Sequence, residues 1–169
     1  MEVKECYKLD LFNVLNGWIE ICPMLKGRFN HHLVTAKGLI YAIGGEGPFS
    51  EHDDIEVGCV GVGIFRSVKD IFHQIYDPSM DEWIPSVTLT GFRQSFCAVA
   101  SSFQDEIFLV GGIDQKNERK RLESLNLTTM EWTRLTDVNA NRSSLACARF
   151  GDGLIASGGW GTSPNGRVL

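Results

Sequence analysis

The chain has 169 residues, 43% hydrophobic, 22% charged and 10% aromatic, which is apolar content enough for the core of about one domain. Its net charge of −5 argues against a nucleic-acid module, since phosphate contacts need clustered Lys and Arg. No apolar run reaches the length of a membrane-spanning helix, and Met1-Glu2-Val3-Lys4-Glu5-Cys6 lacks the layout of a secretory signal, so a cytoplasmic setting is expected.

In chain order, Trp18-Ile19-Glu20-Ile21-Cys22-Pro23-Met24 reads as a strand at the end of a unit. Ile40-Tyr41-Ala42-Ile43 then follows the turn signal Lys37-Gly38 and runs into Gly44-Gly45. Tyr76-Asp77-Pro78 leads to Trp83, and Ser95-Phe96-Cys97-Ala98-Val99-Ala100 is a further strand-like segment. Ile107-Phe108-Leu109-Val110 follows the turn Gln104-Asp105 and precedes Gly111-Gly112. Leu154-Ile155-Ala156-Ser157 follows Gly151-Asp152-Gly153 and precedes Gly158-Gly159. The unit is a hairpin that ends in a double glycine.

A second register runs in phase with the first. Trp18, Trp83 and Trp132 are each followed ten residues later by an arginine: Arg28, Arg93 and Arg142. Each arginine precedes its double glycine by 16, 18 and 16 residues respectively. From Arg93 to Arg142 the period is 49, and from Arg28 to Arg93 it is 65. Periods of this size mark repeat architectures.

The order arginine, apolar strand, Gly-Gly, Tyr-Asp-Pro, Trp resembles the kelch repeat, from about Leu11 to Trp160. The fullest match runs from Arg28 through Gly44-Gly45 to Tyr76 and Trp83. Seven residues before the other tryptophans, Leu11 and Leu125 stand in place of the tyrosine. The resemblance implies an all-β partial propeller of antiparallel four-stranded blades, each stacked on its neighbours. Two full blades are expected at 28–92 and 93–141. The end of a preceding blade is expected at 5–27, and the start of another at 142–169. A closed ring needs about four to eight blades. The chain is therefore expected to be a piece of a longer protein or one partner in an assembly that completes the ring. Open arrays also expose edge strands that favour self-association.

The first full unit carries an insertion within Glu46–Phe72 that begins acidic, with Glu46, Glu51, Asp53, Asp54 and Glu56. A flexible surface loop, a stretch that does not pack and a shaped partner-binding loop all fit a segment of this length. The corresponding loop of the second unit carries Lys116, Arg119, Lys120 and Arg121, a solvated hairpin tip or a patch for an acidic partner. The repeated Arg28, Arg93 and Arg142 are expected to be structural donors between blades rather than a binding ring.

The five cysteines (Cys6, Cys22, Cys59, Cys97 and Cys147) are scattered and form no CxxC pair. Neither a disulfide framework nor a zinc site is indicated, and reduced, mostly buried thiols are expected. Adjacent His31 and His32 point to opposite faces of a strand, so no metal or other cofactor is expected. No phosphate loop, nucleophile elbow or HExxH motif occurs.

The resemblance implies a protein-binding module. It is nearest to the propellers that follow BTB and BACK domains in adaptors recruiting substrates to ubiquitin ligases. Actin binding is the other family role. Copper oxidases of kelch type need a Tyr, His and Cys cluster that three tyrosines and four histidines do not suggest here, so a non-enzyme is expected. Stoichiometric copper in the purified protein would reverse that reading.

Overall fold

Hairpin turns at Lys37-Gly38, Asp105 and Gly151 take positive φ angles of 51° and 76°, 51° and 57°, and each reverses the chain between two apolar strands. The computed structural model describes residues 4–28, 31–44, 74–86, 93–101, 105–114 and 120–161. Among these residues the chain is all-β apart from one turn of 3-10 helix, Val14–Asn16.

The strands are β1 (Cys6–Leu9), β2 (Trp18–Ile21), β3 (His32–Ala36), β4 (Leu39–Ile43), β5 (Gln74–Asp77), β6 (Glu82–Pro85), β7 (Arg93–Gln94), β8 (Cys97–Ser101), β9 (Glu106–Val110), β10 (Ile113–Asp114), β11 (Leu122–Asn126), β12 (Trp132–Arg134), β13 (Ala146–Phe150) and β14 (Gly153–Ser157). They form two antiparallel four-stranded sheets, β3-β4-β5-β6 and β8-β9-β11-β12. Two-stranded sheets, β1-β2 and β13-β14, stand before and after them, and β7 pairs with β10. This is a partial propeller of two complete blades and two partial ones.

The cores lie between blades, because each strand alternates its side chains between two faces and both faces meet a neighbour. Between the two complete blades, Val34, Tyr41, Ile43, Ile75, Phe96, Ile107, Leu109, Leu125 and Leu127 form one buried cluster. Lys37 crosses the same seam to Asp105 at 2.8 Å. Met24, Ala42, Tyr76 and Trp83 pack the first blade against Cys6, Ile21 and Cys22. Cys97, Val110 and Leu145 join the second blade to Cys147 and Leu154.

The kelch-like tyrosine and tryptophan hold the first seam. The Trp83 indole Nε1 donates to the Cys22 carbonyl at 2.9 Å. The Tyr76 hydroxyl donates to Asp81 Oδ1 at 2.7 Å, and the same oxygen accepts the Cys22 N–H at 3.0 Å. Burial, with Asp81 beside it, pushes the Tyr76 hydroxyl up to about 12, so it stays a donor.

Two expectations are corrected here. Opposite Trp18 the structure places Leu9, where Tyr76 faces Trp83 and Leu125 faces Trp132. The β1–β2 connection holds the extra turn Val14–Asn16, so counting seven residues back to Leu11 lands inside the loop. Second, Cys97 and Cys147 are joined in a disulfide across the seam between β8 and β13, with Cα atoms 5.9 Å apart, instead of standing as reduced thiols. Cys6 and Cys22 remain free.

The bridge closes a long loop of chain, so its reduction is expected to cost about 2–4 kcal/mol of stability. A reductant should lower the melting midpoint of the protein but leave a Cys147→Ser variant unmoved. A non-reduced digest in which both cysteines are already alkylated would contradict the pairing.

Candidate partner-binding face

Antiparallel order divides the connections between two ends of the blades. At one end lie the short turns β1–β2, β3–β4, β5–β6, β8–β9, β11–β12 and β13–β14. Two of them are tied by their own side chains: in β5–β6 Asp77 Oδ1 accepts the Ser79 N–H at 2.8 Å, and in β11–β12 Asn126 Oδ1 accepts the Thr128 N–H at 2.8 Å. At the other end the connections are longer. They leave β4 after Ile43 and β9 after Val110, and return at Gln74 and Leu122. The three arginine segments lie at this same end.

The arginines brace it. Arg28 Nη1 donates to the Gly44 carbonyl at 2.7 Å, Arg93 Nε to the Gly111 carbonyl at 2.6 Å, and Arg142 Nη1 to the Gly158 carbonyl at 2.9 Å. Each bond closes on the first glycine of the arginine's own repeat, where a donor between blades was expected. Backbone makes the crossing: the Gly112 N–H donates to the Arg142 carbonyl at 2.8 Å, and Ser144 to Ser95 at 2.7 Å.

Glycine is needed at the seam. A Cβ on Gly44 would lie 2.6 Å from the Phe96 ring of the next blade, and φ there is 68°. Gly159 has φ 91°, and a Cβ there would lie 2.6 Å from the Ser143 carbonyl. Gly45 lies outside the described residues.

The second blade adds a buried charge network. Arg93 Nη1 meets Glu123 Oε2 at 2.8 Å, with the two side chains only 2% and 4% exposed. Arg93 also donates to the carbonyls of Leu109 (3.2 Å) and Arg121. The Arg121 guanidinium turns inward onto Glu123 Oε1. In the first blade Gln74 holds the place of Glu123 and reaches sideways, accepting the Leu25 N–H at 2.7 Å and donating to the Lys26 carbonyl at 3.2 Å.

Of the residues singled out as partner-facing, Lys120 is exposed at the start of β11's approach and Arg121 is engaged as above. Glu46, Glu51, Asp53, Asp54, Lys116 and Arg119 lie outside the described residues. Glu123 was missed by the sequence reading; its strand, Leu122–Asn126, mixes polar and apolar residues, so the charge gave no sign of burial. Among the described residues no group of three or more His, Cys, Asp and Glu is placed to hold a metal. Nor is any helix among them long and apolar enough to cross a membrane.

His31 and His32 sit behind this end, half buried, with the His32 ring 5.2 Å from that of Phe96. Burial lowers the pKa of both imidazoles, and Arg28 adds to the effect on His31. A folded pKa below the unfolded value stabilises above the unfolded pKa and loses that stability as pH falls. Unfolded histidines titrate near about 6.5. Thermal midpoints are therefore expected to fall from pH 7 towards pH 5. A His31→Gln/His32→Gln variant should show a flatter profile; an equal slope in both proteins would refute the assignment.

No protein-family model matches the chain. It is 28% identical over 156 residues to the kelch-like protein terF of Aspergillus terreus, covering 88% of this chain and 31% of that protein. It is 25% identical over 160 residues to kelch-like protein 40 of Xenopus laevis, covering 95% of this chain and 22% of the relative.

The chain is built of kelch repeats.

It spans less than a third of the length of these curated relatives. The solved structure of YjhT shares the kelch architecture with a TM-score of 0.68 at 16% identity, over 94% of this chain and 51% of that one. The kelch repeat accounts for the bonds just described: arginine to first glycine within a repeat, and tryptophan to the preceding blade.

Proposed function

We propose that this kelch segment is a protein-interaction module whose partner meets the end of the blades that carries the longer connections. The observation that carries the reading is the division of the loops. One end carries the shorter connections, while both long connections leave β4 and β9 at the other. Long loops on a rigid all-β scaffold are where binding residues concentrate. The acidic Glu46, Glu51, Asp53 and Asp54 and the basic Lys116, Arg119 and Lys120 are the proposed contacts. Arg121 would act chiefly by positioning Glu123.

The finer reading is substrate recognition within a ubiquitin-ligase adaptor, supported by the kelch-like relatives; actin binding is the second. No catalytic step, cofactor, nucleic acid or membrane enters this proposal. A cytoplasmic site of action goes with it, and there the reducing pool would act on the Cys97–Cys147 bridge.

Proximity labelling with the intact chain, compared with a charge-reversed variant at each loop, tests the proposal. One variant carries Glu46, Glu51, Asp53 and Asp54 as lysine, and the other Lys116, Arg119 and Lys120 as glutamate. At least one should lose more than tenfold of its enriched partners while melting normally. An unchanged partner set in both would sink the reading.

A further inference from the structure

The β1–β2 connection differs from its counterparts in length and in chemistry. Eight residues, 10–17, lie between the facing pair Leu9 and Trp18, whereas six lie between Tyr76 and Trp83 and six between Leu125 and Trp132. All three connections open alike: Asp10 Oδ1 accepts the Phe12 N–H at 2.9 Å, as Asp77 does for Ser79 and Asn126 for Thr128. The longer turn is then held by its own backbone. The Asn13 N–H donates to the Asp10 carbonyl at 3.1 Å, Asn16 to Asn13 at 3.2 Å and Gly17 to Val14 at 3.1 Å. Gly17, at φ 69°, directs the chain into β2.

This ordered turn presents apolar side chains to water. Phe12 is 103% exposed, Leu15 95% and Val14 54%. Single apolar residues are ordinary on a surface, whereas an exposed apolar group gathered on one short turn marks an interaction site. The complete blades show that the exposure belongs to the position. Counted from the opening bond, Phe12 stands in the place of Ser79 and Thr128. Counted back from the tryptophan, Leu15 stands in the place of Met80 and Thr129. All four counterparts are exposed, and the blade that carries Ser79 and Met80 has a packed neighbour on each side. Asn13 and Val14 are the added pair. Leu11 does not belong to the tip, because its counterpart Leu127 packs between blades.

The charge around the tip is one-sided. The described residues of the six short turns carry five carboxylates, Asp10, Asp81, Asp105, Glu131 and Asp152, and one cation, Lys37, which is bound to Asp105. Glu82 adds an exposed carboxylate on the blade next to the tip. We propose that Phe12, Val14 and Leu15 form a second docking element, opposite the long connections, which enters an apolar cleft rimmed by lysine or arginine on another protein. The apolar side chains supply the buried contact, and the acidic end steers the approach and selects the basic rim. The same charge disfavours an anionic bilayer, whose surface is itself negative. A preformed turn also avoids the cost of ordering a loop on binding. This inference does not depend on which protein the long connections bind.

Photo-crosslinking in living cells tests it. The full chain carries a benzophenone amino acid in place of Phe12 or, as the control, in place of Thr129 on the equivalent polar turn. The Phe12 position should give a protein adduct roughly tenfold or more above the control, mapped by mass spectrometry to an apolar segment with lysine or arginine beside it. The crosslinked protein, purified, should bind the unaltered chain and bind Leu15→Ser roughly tenfold or more weakly. Leu15 is almost fully exposed, so that variant should melt like the unaltered protein. Glu82→Lys and added salt should each weaken binding further. Adducts no stronger than at Thr129, adducts to lipid alone or to a second copy alone, or an affinity unmoved by Leu15→Ser would each overturn the proposal.

Discussion

Glu123→Ala is expected to destabilise the protein by about 3–5 kcal/mol, because it leaves buried guanidinium groups without their carboxylate. Arg93 and Glu123 are almost wholly removed from solvent, and Arg93 and Arg121 both bond to the same carboxylate. Arg93 also donates to the backbone carbonyls of Gly111 and Leu109, which accept its protons but carry no formal charge. For a chain of this size the loss corresponds to a midpoint lowered by roughly 6–20 °C. Glu123→Gln keeps an acceptor and resembles Gln74 of the first blade, so its cost should be smaller. Arg93→Ala should match Glu123→Ala, and the double variant should cost less than the two losses added together. Chemical denaturation of the four proteins checks this; a loss under about 1 kcal/mol in Glu123→Ala would place the pair among weak surface bridges.

Gly111→Ala carries the second large effect. Gly111 has φ 66°, where a side chain costs about 1–2 kcal/mol. The added Cβ would also stand 2.5 Å from the Arg142 carbonyl and 2.9 Å from Leu145 Cδ2. Leu145 can turn, but the carbonyl is backbone and already accepts the Gly112 N–H. Overpacking of this kind adds about 1–3 kcal/mol, for a total of roughly 2–5 kcal/mol. Gly38→Ala is the control: φ is 76°, nothing lies within 4 Å, and the backbone cost should act alone. Equal losses at the two positions would mean that the seam yields, and that the double glycine is not set by blade contact.

The repeat was legible because its parts are local and nearly constant in spacing. An arginine sixteen or eighteen residues before a glycine pair reflects one bond, guanidinium to glycine carbonyl, made three times. Features that depend on loop length or on neighbouring blades were less visible. Leu9 was passed over for Leu11 because the β1–β2 connection carries an extra helical turn. Cys97 and Cys147 are 50 residues apart, one more than the 49-residue repeat, so they fall on facing strands of adjacent blades. That offset was a usable signal, but it acquires meaning only once blade stacking is known. At the partner-facing end the sequence indicated which loops are long and charged. It did not indicate that Arg121 turns inward, since the carboxylate that draws it is buried by the fold.

Amide hydrogen exchange tests the blade architecture most directly. The strands bonded on both sides, Leu39–Ile43 and Glu106–Val110, should be among the slowest to exchange, far slower than the turn at Thr128–Met130. Exchange in those two strands as fast as in that turn would contradict the account.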